Sequence, residues 1–460
     1  MSKQTAPVKK NDVISVHIED LSHEGNGVGK VEGYPLFIPH ALPGEQTTIK
    51  VVKANKNFGF GKLLEVKKKS PDRVEPPCDV FYKCGGCQIQ HMSYRMQLEM
   101  KQNQVKNVMR KIAHMPDVPV HPTIGMADPW RYRNKVSIPV SGKPGDLITG
   151  FYQMRSHHII EDMETCVVQD EVNDRMVEAV RRIASKLGIA PYDEKTDRGV
   201  LRHIMVRTGR ASNETMIVII TRTKKLPHQQ ELVHELVETY PQIKSIMHNI
   251  NDRRTNVIMG KQTKLLWGEP FIYDTIGDIK FAISAKSFYQ VNPPQTKKLY
   301  EKALEYAGLE ENDTVIDAYC GIGTISLFLA QKAKKVYGVE IVPEAIEDAK
   351  NNALLNGMEN VEFVVGQAEK VMPAWKEKGL NPDVIVVDPP RKGCEADFLQ
   401  AMIEMEPKRI VYVSCNPSTL ARDLKILADG GYRAAEIQPV DMFPQSMHVE
   451  CVSLLQRETI

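Results

Sequence analysis

Hydrophobic and polar residues alternate along several short stretches between residues 12 and 67. The stretches VISVHIED and TIKVVKA show this period of two most clearly, which is typical of strands with one buried face. Glycine-containing segments separate them from three further apolar stretches, GVGKVEG, YPLFIPH and FGKLLEV. Five short strands in such a small region predict a β-barrel of the OB type over residues 1–70.

A charged, proline-containing segment, KKKSPDRVEPP, follows the predicted barrel and is typical of a linker. Residues 93–115 then have helical spacing without glycine or proline, which predicts one long helix. Beyond it, apolar strands such as MIVIIT and SIMHNI are mixed with helical stretches such as QQELVHELVETY. We therefore expect a central α+β domain over residues 71–284, with the helix at 93–115 packing on the C-terminal domain.

After residue 285 the pattern changes to strands, turns and helices in alternation. The strands, such as VIVV and IVYV, are continuously apolar, which indicates a parallel sheet that helices cover on both faces. Residues 285–460 are therefore predicted to form an α/β, Rossmann-like domain. Ligands of such sheets bind beyond the carboxyl ends of the strands.

The composition is that of an ordinary globular protein, and a length of 460 residues favours about three domains. The N-terminal segment lacks the apolar core of a secretion signal, and no apolar run approaches the roughly 18 residues of a membrane span. We therefore expect a cytoplasmic protein with reduced thiols and no membrane partner. No heptad pattern indicates a coiled coil, so a monomer is the default expectation.

The net charge of +2 conceals a basic N-terminal region, because residues 1–70 contain eleven lysines and seven acidic residues. The segment KANKNFGFGK mixes cations with aromatic rings, as nucleic-acid-binding surfaces do, although a solvated hairpin tip has the same composition. The segment WRYRNK is equally compatible with RNA contact and with ordinary surface charge. The candidate RNA-contacting residues of the two segments are Lys53, Lys56, Phe58, Phe60, Lys62, Arg131, Arg133 and Lys135.

The sequence DAYCGIGT marks the turn between the first strand of the C-terminal sheet and its helix. Gly321 and Gly323 allow the backbone to approach a ligand closely. A dinucleotide-binding fingerprint requires a third glycine where this chain has Ser326. Glu340 ends the next strand in the position of a ribose-binding acid, and Asp388 ends a later strand before two prolines. This combination favours an S-adenosylmethionine-binding fold over a nicotinamide-binding one.

A cysteine stands at the end of another apolar strand, in the segment RIVYVSCNPSTL. Pro417 prevents the strand from continuing, so Cys415 is expected at the edge of the sheet where ligands bind. A cysteine at this place is either a nucleophile or a small packing residue. The strand pattern alone leaves both interpretations open.

Three segments resemble signature segments of the RNA uracil-5-methyltransferase family: DPPRKG, VSCNPSTLARD and HVECV. The resemblance extends over residues 8–460 and is closest to bacterial members that have a small N-terminal barrel, the TRAM domain, and an iron–sulfur centre. It implies that Cys415 adds to carbon 6 of uracil as a nucleophile and that Glu450 removes the proton from carbon 5.

The same resemblance implies which residues contact S-adenosylmethionine. Two of them, Thr324 and Gln367, stand where the family often has asparagine. The expected contacts are Gln290, Tyr319, Thr324, Glu340, Gln367 and Asp388.

Three of the eight cysteines lie in CDVFYKCGGC with the spacing C-x5-C-x2-C, and a fourth lies far downstream. Clustered thiols in a reducing compartment indicate a metal site, and the spacing fits a 4Fe–4S cluster at least as well as zinc. The resemblance implies the cluster. None of the four cysteines lies near the carboxyl edge of the C-terminal sheet in sequence, so we expect a structural or RNA-positioning role rather than redox chemistry. The expected ligands are Cys78, Cys84, Cys87 and Cys166, whereas Cys320, Cys394 and Cys451 are expected to be packing residues.

The leading hypothesis is an enzyme that methylates carbon 5 of uridines in structured RNA, with the target base flipped out or presented in a loop. The resemblance to Gram-positive enzymes that modify two sites in 23S ribosomal RNA favours that RNA, and the T-loop of transfer RNA is the alternative. Cytosine-5 and adenine-N6 methylation fit the motifs less well, since DPPRKG and SCNP occur together and Arg391 follows Asp-Pro-Pro. A non-catalytic iron–sulfur RNA-binding or assembly factor is the rival from another class.

Overall fold

The computed structural model describes residues 6–161, 163 and 165–458. Its N-terminal part is a closed five-stranded barrel with the strand order β1-β2-β3-β5-β4. Alternate residues such as Ile18, Leu36 and Ile49 fill its interior, as the period of two predicts. The strands are β1 (Val13–Leu21), β2 (Gly27–Val31), β3 (Tyr34–Ile38), β4 (Gln46–Ala54) and β5 (Gly59–Lys68).

The predicted long helix is α1 (Tyr94–Val108), which continues into a π-helical turn (Met109–Ala113). Ser93 caps its N-terminus, because the Ser93 side chain accepts a hydrogen bond from the Met96 amide. Val105, at the buried face of α1, packs into a core cluster that belongs to the C-terminal sheet. The helix therefore joins the cysteine-rich segment before it to the C-terminal part of the chain.

The central part is a six-stranded sheet with the order β11-β10-β9-β8-β6-β7. Two amphipathic helices pack their apolar residues against it in one core cluster. In the part of the chain that the structure describes, no helix is both long and apolar enough to cross a membrane. The elements are β6 (Lys135–Lys143), β7 (Asp146–Thr149), α2 (Glu171–Lys186), β8 (Leu201–Thr208), β9 (Thr215–Thr221), α3 (Gln229–Thr239), β10 (Ile243–Ile250) and β11 (Gln262–Gly268).

A two-stranded hairpin, β12 (Ile272–Ile276) and β13 (Ile279–Ile283), leads into the C-terminal part. There, strands and helices alternate as predicted until two strands follow each other at the end of the chain. The elements are α4 (Pro293–Ala307), β14 (Thr314–Ala318), α5 (Thr324–Ala330), β15 (Lys335–Glu340), α6 (Pro343–Leu355), β16 (Val361–Val365), α7 (Ala368–Glu377), β17 (Val384–Val387), α8 (Ala396–Met405), β18 (Arg409–Ser414), α9 (Pro417–Asp429), β19 (Tyr432–Val440) and β20 (Glu450–Arg457).

The seven C-terminal strands form one sheet in the order β16-β15-β14-β17-β18-β20-β19. It is parallel from β16 to β18, and successive residues of a strand such as β17 enter different core clusters on its two faces. The chain builds β15 and β16 on one side of β14 and returns to the other side with β17, so a topological switch point lies at the carboxyl end of β14. The predicted α/β fold class is confirmed.

Candidate active site

A cavity of about 710 Å³ opens at the carboxyl edge of the C-terminal sheet, at the switch point beside β14. This volume lies within the usual range for a small-molecule site. Gly323, one of the predicted cofactor residues, is not part of its wall. The predicted residues that line the cavity are Gln290, Tyr319, Gly321, Thr324, Glu340, Gln367, Asp388, Cys415 and Glu450.

The turn after β14 shapes one wall of this cavity through left-handed backbone conformations. Tyr319, Gly321 and Gly323 have φ angles of 64°, 54° and 81°. Open space surrounds the place of a Cβ at Gly321, so its φ angle is what favours glycine there. A Cβ at Gly323 would lie 2.9 Å from the ring of Phe363, so that glycine permits close packing behind the wall.

Glu340 supports the same turn from the end of β15. Its carboxylate accepts hydrogen bonds from the Gly321 amide at 3.3 Å and from the Val342 amide at 3.0 Å. The side chain is half-buried and faces the cavity. A carboxylate has lone pairs beyond these two bonds, so Glu340 can also accept hydrogen bonds from ligand hydroxyl groups.

The opposite wall depends on the central sheet. The side-chain amide of Asn134 donates to the carbonyl of Gln290 at 3.2 Å, and the Asn134 main-chain amide donates to the carbonyl of Val291 at 3.0 Å. Arg207, which is also buried, donates to the carbonyl of Ser287 at 2.7 Å. The segment that carries Gln290 is therefore held in place by residues about 80 to 150 positions earlier in the chain.

Cys415 lies between the last residue of β18 and the first turn of α9. The Ser414 hydroxyl accepts a hydrogen bond from the Asn416 amide at 3.1 Å, and the Asn416 side chain caps α9 by accepting from the Ser418 amide at 3.1 Å. Pro417 occupies the first turn of the helix, where a missing amide proton costs nothing. The half-buried thiol therefore lies at the positive end of a helix dipole, which favours its ionised form.

Glu450 faces Cys415 because β20 runs antiparallel to β18. The strand register ends with the pair Ser414 and Cys451. Cys415 and Glu450 are the next residues of the two segments, and both line the cavity. Glu450 is only 4% exposed. Burial raises the pKa of its carboxyl group, and the nearby carboxylate of Asp388 raises it further. Both acids share the cavity with the thiol.

The surroundings keep the thiol protonated in the absence of ligands. Burial raises the pKa of Cys415 to about 11, with further contributions from Glu450 and Asp388, whereas the Arg391 guanidinium lowers it. The main chain of Arg391 is held by the residue after the thiol, because the Asn416 side chain donates to the Arg391 carbonyl at 3.0 Å. This bond joins the segments DPPRKG and SCNP at the cavity.

Several lining residues were not predicted from the sequence. Phe288 is 68% exposed at the cavity, where an aromatic ring can stack on a base. Phe443 and His448 come from the loop before Glu450. Asp317 is fully buried below the glycine turn, and burial raises its pKa to about 7. For Phe288 the sequence offered one signal, its position two residues before the predicted contact Gln290. The other three residues reach the cavity through contacts between distant segments, which the sequence does not reveal.

The four upstream cysteines line a second cavity, of about 470 Å³. All four are half-buried free thiols: Cys78, Cys84, Cys87 and Cys166. Within the described residues, no group of three or more His, Cys, Asp or Glu side chains is arranged to hold a metal ion. The donor set that surrounds the cavity, four thiols from two segments, nevertheless matches what a 4Fe–4S cluster requires.

The second cavity adjoins the first, which the separation in sequence did not predict. Arg391, Phe443 and His448 line both cavities. The guanidinium of Arg391 also lies 3.2 Å from Nε2 of His448. The four-cysteine cavity and the cavity with Cys415 are therefore separated by a wall one side chain thick.

The candidate RNA-contacting residues fall into two groups. On the barrel, the exposed Phe58 and the half-buried Phe60 form an aromatic cluster with Phe37, with ring centroids 5.7 to 5.9 Å apart. The lysines around them are exposed: Lys53, Lys56 and Lys62.

In the central part, Arg133 and Lys135 line the four-cysteine cavity. Arg131 instead pairs with Asp174 at 3.0 Å and donates to the carbonyl of Cys166 at 2.8 Å. The guanidinium of Arg131 therefore holds the segment that carries Cys166. Elsewhere, the cysteines expected to be packing residues, Cys320, Cys394 and Cys451, are buried.

Comparisons with known proteins agree with this geometry. Residues 259–458 match the family model described as tRNA (uracil-5-)-methyltransferase, and residues 7–64 match the TRAM domain. The chain is 65% identical to an uncharacterized RNA methyltransferase of Oceanobacillus iheyensis, with 99% of each chain covered. It is 55% identical to one of Listeria monocytogenes, with 97% of this chain and 98% of the relative covered.

A solved structure also resembles the whole chain. It is the tRNA (uracil-54, C5)-methyltransferase of Pyrococcus abyssi in complex with S-adenosyl-L-homocysteine, with a TM-score of 0.78 and 27% sequence identity. The similarity covers 96% of this chain and 100% of the other. The barrel, the central sheet and the C-terminal sheet thus occur together in that structure as well.

Proposed function

Because the chain belongs to the RNA uracil-5-methyltransferase family and is S-adenosylmethionine-dependent, we propose that it methylates carbon 5 of uridines in 23S ribosomal RNA. The observation that carries the proposal is that Cys415 and Glu450, which lie next to the last residue pair of β18 and β20, line one cavity with all the predicted cofactor residues except Gly323. The similarities already confirm that the chain is an RNA-methylating enzyme, so a non-catalytic factor no longer competes.

Cys415 supplies the nucleophile in this proposal. Its thiolate forms a bond to carbon 6 of the uracil ring, and the electron pair of the carbon 5–carbon 6 double bond moves into an enolate. Carbon 5 thereby becomes nucleophilic. When bound, S-adenosylmethionine supplies an electrophilic methyl group on a positively charged sulfur.

Glu450 completes the reaction after carbon 5 has been methylated. Its carboxylate takes the proton from carbon 5, the electrons of that bond restore the double bond, and the sulfur of Cys415 leaves as a thiolate. Glu450 must be ionised at this step, although its burial favours the protonated form. The Arg391 guanidinium acts in the opposite direction, because it lowers the pKa of Glu450 and favours the ionised carboxylate.

The cofactor lies, in this proposal, between the glycine turn and the segment that carries Gln290. Glu340 accepts from ribose hydroxyl groups, as its position at the end of the second strand suggests. Tyr319, Gly321, Thr324 and Gln367 surround the same ligand. Asp388 lines the same cavity as Cys415, which supports a contact with the cofactor close to the target base.

The target uridine enters the cavity outside its helix. Carbon 6 of a stacked and paired base is inaccessible to a thiol in a crevice, so the base must be flipped or already unpaired. Phe288 is the exposed aromatic ring at the cavity and stacks on the inserted base in this proposal. The barrel residues Phe58, Phe60, Lys53, Lys56 and Lys62 bind RNA outside the crevice.

We further propose that the four-cysteine cavity holds a 4Fe–4S cluster, ligated by Cys78, Cys84, Cys87 and Cys166. The support is the set of four thiols on one cavity. A bound cluster cross-links two segments that are about 80 residues apart in sequence. Protein purified without oxygen should be brown, and Cys84→Ser should lose that absorbance and some stability; retained colour contradicts this ligand.

The choice of RNA separates two candidates. The combination of a barrel with four clustered cysteines resembles the ribosomal members of the family and supports 23S ribosomal RNA. The similarity to a transfer RNA enzyme over nearly the whole chain favours the T-loop of transfer RNA as the second candidate. Both share one chemistry and one site.

Incubation with labelled S-adenosylmethionine and transcripts of either RNA, followed by digestion to nucleosides, tests the proposal. We expect label in 5-methyluridine from 23S ribosomal RNA. If 5-methyluridine is labelled only with transfer RNA, transfer RNA is the target instead of 23S ribosomal RNA, and the proposed chemistry still holds. Label in 5-methylcytidine, or no label with any RNA, contradicts the proposed reaction.

A further inference from the structure

The loop between β19 and β20, residues 441–449, forms the wall between the two cavities. Phe443 and His448 of this loop line both cavities, and Glu450 follows it directly. We call residues 441–449 the catalytic loop. The main chain of Glu450 is paired with Val440 in the sheet, and the loop that leads directly into it supplies two neighbouring side chains of the cavity wall, Phe443 and His448.

A buried glutamine of helix α1 forms hydrogen bonds with the middle of the catalytic loop. Gln97 is 1% exposed, and its side-chain amide forms two hydrogen bonds with Gln445: Nε2 donates to Oε1 at 2.9 Å, and Oε1 accepts from the main-chain amide at 3.1 Å. Nε2 of Gln97 also donates to the carbonyl of Met92 at 2.9 Å and lies 3.2 Å from that of Ile89. One side chain thus joins the loop to the cysteine-rich segment.

A buried ion pair fixes the start of the same loop. Nζ of Lys101 lies 2.5 Å from Oδ1 of Asp441, and both side chains are fully buried. The Tyr94 hydroxyl donates to the other oxygen of Asp441 at 2.8 Å, and Lys101 also donates to the carbonyl of Phe443 at 3.2 Å. Helix α1 therefore holds the loop at two places, one turn apart along the helix.

The cysteine-rich segment makes direct contact with the loop as well. The main-chain amides of Gln88 and Ile89, the two residues after Cys87, donate to the carbonyl of Gln445 at 3.0 and 3.2 Å. The Gln88 side chain also accepts from the Met447 amide at 3.4 Å. A ligand that fixes Cys87 therefore fixes the residues that touch the loop.

We infer that Gln97 is a positioning residue that ties the catalytic loop to the cysteine-rich segment, so that filling the four-cysteine cavity orders the loop that leads into Glu450. The inference rests on the proposed function for the role of Glu450 and for the cluster, but the order of the loop is measurable without either. Gln97 touches neither cavity; it acts through Gln445 and Ile89.

Hydrogen–deuterium exchange of peptides from residues 441–449 tests the first half of the inference. Gln97→Met keeps the size of the side chain and removes its hydrogen bonds, so exchange there should accelerate by about tenfold, the effect of losing one buried hydrogen bond. Gln102→Met is the matched control on the same helix, because Gln102 bonds to Val120 and not to the loop. Unchanged exchange in Gln97→Met overturns the inference.

Steady-state kinetics separate positioning from general instability. Gln97→Met should lower kcat by about tenfold while KM for S-adenosylmethionine stays within about twofold, since the glycine turn and Glu340 lie outside the loop. The double variant Gln97→Met with Gln445→Met should lose less than the sum of the two single variants, because either substitution alone already removes the bond between the two side chains. Additive losses, or a rise in KM alone, contradict the positioning role.

The second half is tested with Cys166→Ser, which removes one thiol without altering the segment that touches the loop. Iron content and absorbance report the cluster, and exchange at residues 441–449 reports the loop. We expect both to change together. Loss of iron with unchanged exchange overturns the coupling between the cavity and the loop. If the wild-type protein contains no iron, the proposed cluster is refuted, and the Gln97→Met experiment alone then tests whether Gln97 positions the loop.

Discussion

Single residues decide the protonation of the proposed nucleophile. Burial raises the pKa of Cys415 to about 11, and two carboxyl groups, Glu450 and Asp388, oppose a second negative charge beside them. The guanidinium of Arg391 acts in the opposite direction. The thiol is therefore neutral at pH 7, and the thiolate fraction grows as the pH rises toward the raised pKa.

The rate of attack by Cys415 should follow this fraction. With 5-fluorouridine RNA and cofactor, the initial rate of covalent complex formation should rise by up to about tenfold per pH unit above neutrality, because each unit below the pKa costs that factor in thiolate. Denaturing gels at a series of pH values measure it. A rate that is flat or falls with rising pH contradicts a neutral resting thiol.

Replacement of the proposed base separates addition from release. Glu450→Gln keeps the shape of the side chain but cannot accept the proton from carbon 5, so the covalent complex with ordinary RNA should accumulate and its release should slow by about 100-fold or more. The matched control is Glu458→Gln at an exposed residue after β20. If Glu450→Gln releases the RNA from the covalent complex at the wild-type rate, another group removes the proton from carbon 5.

The sequence predicted residues that carry recognisable chemistry at strand ends, such as Cys415, Glu340 and Asp388. It did not predict Phe288 or His448 as lining residues, because an aromatic ring or an imidazole has many structural uses and no fixed spacing to the motifs. Arg131 shows the converse case. It was a candidate for RNA contact, and the structure shows its guanidinium engaged with Asp174 and Cys166.

At the scale of elements, the antiparallel insertion of β20 between β18 and β19 builds the candidate active site. It brings Glu450 opposite Cys415 from 35 positions further along the chain. The pattern of apolar residues predicted the strands and helices, because burial on one or both faces leaves a local signature. Strand order leaves no such signature, so the pairing of the two residues followed from the resemblance alone.

Helix α1 stabilises the C-terminal part through its buried ion pair. Lys101→Met should lower the free energy of unfolding by about 3–5 kcal/mol, because it leaves the carboxylate of Asp441 buried without its cation. Lys106→Met, at an exposed position of the same helix, should change it by less than about 0.5 kcal/mol. Urea unfolding measures both, and equal stability of the two variants contradicts the account of α1.

At the scale of the whole molecule, parts of the chain outside the C-terminal sheet help to build the candidate active site. The central sheet holds the segment of Gln290, helix α1 holds the catalytic loop, and the four-cysteine cavity shares a wall with the cavity of Cys415. Sequence separation had suggested that the cysteines lie away from the sheet edge. Packing between distant segments brings the cysteines close to that edge, and no local sequence pattern indicates such packing.

The barrel is expected to increase affinity for RNA without taking part in the chemistry. Phe58→Ala should weaken RNA binding by about 1–3 kcal/mol, the contribution of one stacked base, while binding of S-adenosyl-L-homocysteine stays unchanged. Val13→Ala is the control, since Val13 is an exposed apolar residue of the barrel that does not belong to the aromatic cluster. Filter binding measures both, and equal affinities of the variants contradict RNA stacking on Phe58.

The most direct measurement of the central claim is the mass of the protein after reaction with 5-fluorouridine RNA and S-adenosylmethionine. A base cannot remove fluorine from carbon 5 as it removes a proton, so the bond between the sulfur and carbon 6 persists. Mass spectrometry of a digest should then find the modified nucleotide on Cys415. Cys415→Ala should give no adduct, and Cys394→Ala, at a buried thiol beside Tyr412, should still give it. An adduct on another residue, or continued methylation by Cys415→Ala, contradicts the account.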